Sequence, residues 1–98
     1  MAVADDAVIE DSVIRVSPTT PTNALGNAIY REWLNTGEFL PVRAIGVGAV
    51  NQACKGMASA SVLVAGRGRT LAFTVGFDTV EGDNGESLSA LTWYPFLR

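Results

Sequence analysis

Histidine is absent from the 98 residues, and cysteine occurs once, at position 54. The first absence removes imidazole as a general base, as a metal ligand and as a switch near neutral pH. The second excludes an internal disulfide and a cysteine-built zinc site, and it suits a reducing cytoplasm. No apolar run approaches the roughly 18 residues that a membrane span needs, and the N-terminus is acidic where a secretory signal would be basic. No nucleophile–base pair can be assembled, so neither catalytic residues, metal ligands nor a cofactor are expected. What is present is apolar: 48% hydrophobic residues and a mean hydropathy of +0.24 give one small domain ample surface to bury and argue against disorder.

Charge is unevenly placed. Seven Lys+Arg against ten Asp+Glu leave a formal net charge of −3, which argues against an indiscriminate polycation. Asp5, Asp6, Glu10 and Asp11 all fall in the first eleven residues. Without them seven bases face six acids, a net of +1 (7 − 6). Residues 1–11 therefore read as an acidic flexible leader, either a solvated terminus or a tail that competes with anionic ligands. Residues 12–98 read as the folded domain.

Along that domain, Ser12–Ser17 alternate as a short strand, with Ile14 and Val16 inward and Arg15 outward. The loop from Pro18 to Asn23 starts a helix, with Thr20 as cap and Pro21 in the first turn, or Thr22 as the competing cap. Leu25, Ile29 and Trp33 line one helix face, and Gly37 is placed to end it. A second strand over residues 39–45 properly begins after Pro41. A second helix starts near Ala49 and runs to Val62 or Leu63, carrying a slim stripe of Ala49, Ala53, Gly56 and Ala60. Gly66-Arg67-Gly68 stops it. From Thr70 the period changes to two, with Leu71, Phe73, Val75 and Phe77 on one side. Gly82-Asp83-Asn84-Gly85 makes a hairpin turn, and a last strand runs from Ser87 to Leu97, apolar on both faces.

This order, βαβαββ, predicts an α+β two-layer sandwich: a four-stranded mixed sheet with both helices on one face. The other face is then open, with Arg15 and Arg43 projecting onto it. A last strand apolar on both sides implies self-association.

The most pointed segment is Gly46-Val47-Gly48 followed by Asn51, Gln52 and Lys55. A strand runs through a Gly-x-Gly bend into a helix N-terminus, where free backbone N–H groups and the helix dipole favour an anion such as phosphate. Asn51 and Lys55 share a helix face, and Gln52 is an adjacent donor. The same residues also fit an ordinary tight turn with a solvated lysine, and spacing alone leaves both readings open. No third glycine completes a dinucleotide fingerprint and no Gly-Lys-Ser/Thr closes a P-loop. Cys54 is expected as a small buried hydrophobe. Arg67 and Arg69 form a basic tip, either a plain exposed turn or a phosphate contact. Trp93, Tyr94 and Phe96 serve packing or, less simply, base stacking.

The run Ile45-Gly46-Val47-Gly48-Ala49-Val50-Asn51-Gln52-Ala53-Cys54-Lys55 resembles the signature of the stage V sporulation protein S family, with Ile14-Arg15-Val16-Ser17 in support. That family looks like a branch of the Alba superfamily, whose fold is βαβαββ. The resemblance spans residues 12–98. It implies a non-enzymatic cytoplasmic regulator of bacterial sporulation or development that binds DNA or RNA weakly as an assembly. Gly46, Gly48, Asn51, Gln52 and Lys55 would hold phosphate, with Arg15 and Arg43 adding charge from the open face. The chain departs from Alba-type binders in two places: Ser17-Pro18-Thr19-Thr20 holds no lysine, and the last hairpin is acidic. A protein-interaction module that binds no nucleic acid is the alternative.

Overall fold

A computed structural model describes residues 2–4 and 7–98. The elements run β1 (Ala2–Ala4), β2 (Ala7–Glu10), β3 (Val13–Val16), α1 (Thr22–Thr36), β4 (Val42–Ala44), α2 (Val47–Ala65), β5 (Leu71–Glu81) and β6 (Ser87–Leu97). The strands form one mixed sheet in the order β1-β2-β3-β4-β6-β5. The fold is thus α+β, but the sheet has six strands where four were expected, and the full order is βββαβαββ. The two additional strands come from the acidic leader. Asp11 (φ 54°) and Ser12 (φ 61°) both take left-handed conformations and form the two-residue turn that joins β2 to β3. The apolar run Ala7-Val8-Ile9 supplies a strand that the surrounding acids obscure, and Ile9 packs against the core. Asp5 and Asp6, part of the leader as expected from sequence, lie outside the described residues.

β3 and β4 pair in parallel, as a strand–helix–strand crossover requires, while β4 pairs antiparallel with β6. Ile14, Val16, Val42, Ala44 and Trp93 point to one face and meet Leu25 and Ile29 of α1 and Ala49, Ala53, Met57, Ala60 and Val64 of α2. Both helices therefore cover one face. Alternation puts Arg15, Arg43 and Thr92 on the other.

The helices are parallel neighbours. A Cβ on Gly56 would collide with Leu25, and one on Gly26 would collide with Ser59. Thr20 meets Gln52 near the two helix starts, and Tyr30 meets Arg67 just beyond the end of α2. The small-residue stripe on α2 is what permits this approach.

Several local expectations shift. Thr20 does not cap α1: its buried hydroxyl accepts the Ser17 N–H at 2.9 Å, and Pro21 occupies the cap position with no side-chain bond to the helix. α2 starts two residues before Ala49, so only Gly46 of the bend takes a positive φ (88°), and Gly48 lies within the first helical turn. In the β5–β6 turn only Gly85 (φ 80°) is left-handed. Cys54 is exposed, because it falls off the line of buried residues Ala49, Ala53, Gly56 and Ala60 on the same helix. The expected C-terminal residue of α1 holds: Gly37 is left-handed (φ 81°) and its N–H bonds to the Trp33 carbonyl at 2.8 Å.

Candidate nucleic-acid interface

β3 and β4 are adjacent and parallel, so their carboxyl ends open at the same end of the molecule, and each feeds directly into a helix. At that end α1 begins after Pro21 and α2 after Gly46. The Leu25 N–H reaches the Pro21 carbonyl at 3.0 Å, and the Val50 N–H reaches the Gly46 carbonyl at 3.0 Å. The amides ahead of them, on Thr22 to Ala24 and on Val47 to Ala49, have no intrahelical acceptor. Neither helix has a side-chain cap or an acidic residue in its first turn. Two helix dipoles thus turn their positive ends the same way, with no acidic residue in either first turn to neutralise them.

The loop between β3 and α1 seats the start of α2. A Cβ on Gly48 would lie 3.0 Å from the Pro18 Cβ, so glycine here permits the loop to close on the helix. Gln52 donates its amide to the Thr20 carbonyl at 2.8 Å and ties α2 to the same loop. Ser17 and Thr19 share a 3.1 Å hydroxyl contact beside Pro18, on the surface. Gln52 is therefore a clamp on the loop rather than a free donor.

Gly46, Val47, Gly48, Asn51 and Lys55 are exposed. Asn51 donates a long 3.4 Å bond to Gln52. Lys55 takes part in neither of the two ion pairs found among the described residues. Lys55 lies eight positions after Val47, a rise of about 12 Å along the helix, so the amide end and the ammonium do not converge on one point.

Arg15 and Arg43 are not brought to this group. They lie across the sheet, and both are bound to carboxylates of the chain itself. Arg43 meets Asp78 at 2.6 Å and Thr92 at 3.3 Å, and Arg15 meets Glu10 at 2.8 Å. A cleft of about 400 Å³ beside them is lined by Glu10, Asp11, Glu81, Asp83 and Glu86 as well as the two arginines, so acids outnumber bases there five to two. Arg67 bonds the Tyr30 hydroxyl at 2.9 Å and sits over its ring. Trp93 is buried, while Tyr94 and Phe96 stand exposed on the open face.

The sequence reading missed the α1 amides at Thr22 to Ala24 and the Thr20–Gln52 clamp. Proline followed by uncapped polar residues was the available signal for the first. Nothing local marks the second, since its partners are 32 residues apart. Among the described residues no helix is long and apolar enough to cross a membrane. The family model of stage V sporulation protein S matches residues 12–94, most of the chain. No curated protein matches it.

Proposed function

The chain belongs to the stage V sporulation protein S family, a sporulation-associated family, and on that footing we propose that it is a non-enzymatic cytoplasmic regulator that binds nucleic acid weakly through its backbone phosphates. The observation that carries this reading is the pair of uncapped, acid-free helix N-termini at the carboxyl ends of β3 and β4. Backbone amides of Val47 to Ala49 take one phosphate and Lys55 a further one along the strand, with Asn51 between them. Arg15 and Arg43 stay out of the phosphate contact, because engaging a phosphate there means giving up Glu10 or Asp78. One free lysine and partial helix charges make a weak site, and assembly as a homodimer or tetramer would repeat it and add avidity. The Alba-type βαβαββ arrangement from β3 to β6 fits this role.

The second reading, a protein-interaction module without nucleic acid, is favoured by Tyr94 and Phe96, which stand 49% and 44% exposed on the open sheet face. Titrating labelled duplex DNA and single-stranded RNA at several salt concentrations separates the two. Phosphate binding gives a log–log salt slope that Lys55→Glu makes shallower by about 0.7 to 0.9. No binding at low salt favours the protein partner.

A further inference from the structure

β5 forms an outer edge of the sheet: β6 pairs with one side of it, and no described strand pairs with the other. The edge is 11 residues long. From Thr70 to Phe77 it contains no charge and no proline, so the usual devices that keep an edge from pairing are missing. On its helix-side face Val75 is 56% and Phe77 is 86% exposed. Phe77 ends the cross-strand row Ala44–Leu91–Phe77, so it continues the apolar surface of the core outward with nothing over it.

We propose that two copies of the chain join edge to edge along β5, antiparallel, about a two-fold axis perpendicular to the sheet and passing between the two Val75 residues. Such an axis keeps each residue on its own face, so paired positions must have an even sum. Centred on Val75, Phe73 lies opposite Phe77, Leu71 opposite Thr79, and Arg69 opposite Glu81. Leu71, Phe73, Val75, Phe77 and Thr79 share the helix-side face by alternation; Arg69 lies two residues before β5, and Glu81 is its last residue, bordering the cleft of the opposite face. Shifting the centre to Thr74 sets Arg69 against Thr79, and shifting it to Gly76 sets Leu71 against Glu81. Only the Val75 register joins the aromatic pair and the opposite charges together. Neither Arg69 nor Glu81 is committed to an ion pair among the described residues. The basic end of one edge therefore meets the acidic end of the other, twice. The product is a continuous twelve-stranded sheet with both helix layers on one side, its exposed valines and phenylalanines covered by their symmetry mates.

This inference does not depend on nucleic-acid binding, and its test uses none. The mass of the protein in solution is measured over a concentration series for wild type, Phe77→Asp, Arg69→Glu, Glu81→Arg and the double variant R69E/E81R, with circular dichroism confirming the fold of each. The wild type is expected to associate, and Phe77→Asp to dissociate it. Each single charge reversal weakens association about tenfold at low salt, and the double reversal restores it to within about threefold. A wild type that stays monomeric at high concentration overturns the proposal. So does association indifferent to Phe77→Asp, or a double variant no better than the single ones.

Discussion

Two positive regions lie on opposite sides of one sheet, and they differ in what the fold has already done with their charge. On the strand side, Arg43 and Arg15 are full cations, yet Asp78 and Glu10 hold them at 2.6 and 2.8 Å, beside a cleft where acids prevail. On the helix side the charge is smaller, two helix ends and one ammonium, but no carboxylate among the described residues is bonded to it. An incoming phosphate must displace an internal acid in the first region and only water in the second. In the proposed reading, availability rather than the count of basic residues decides where an anion settles.

The comparison breaks first if the helix layer is loosened. Leu25 is fully buried against Gly56 and keeps the two helix ends together. Leu25→Ala is expected to lower stability by about 2–5 kcal/mol in urea unfolding. Arg43→Met strips Asp78 of its partner in a part-buried setting and is expected to cost about 1–3 kcal/mol of stability, with the salt slope of nucleic-acid binding unchanged. A loss of slope in that variant would move the interface to the strand side. Lys55→Glu reverses the pattern: stability is kept within about 0.5 kcal/mol, while affinity for a nucleic-acid strand falls about tenfold at low salt. Smallest is Arg15→Gln, whose exposed pair with Glu10 contributes less than about 1 kcal/mol by thermal unfolding and nothing to binding.

Much of this arrangement was legible from local pattern. The stripe Ala49, Ala53, Gly56 and Ala60 specifies α2 and the side it buries, and the period-two run from Leu71 to Phe77 specifies β5, although only Leu71 on that side is buried, because both patterns repeat within a few residues. The glycine bend before α2 was legible for the same reason. What escaped depends on distance along the chain. Arg43 and Asp78 are 35 residues apart, so an arginine that sequence alternation places on an open face turns out to be occupied. The convergence of the α1 and α2 starts follows only once the helices are known to run parallel. β1 and β2 were hidden differently: they are only three and four residues long, and Asp5, Asp6, Glu10 and Asp11 fall between and beside their apolar residues.

The central claim is that an anion docks where the two helices begin. Backbone amide shifts, followed by ¹⁵N-resolved NMR while a short oligonucleotide is titrated in, locate the contact directly. The account predicts that the amides of Val47, Gly48 and Ala49 move most, with those of Thr22 to Ala24 and of Lys55 following. Shifts centred on Arg15, Arg43 and the β5–β6 turn, with the helix starts unmoved, would contradict it.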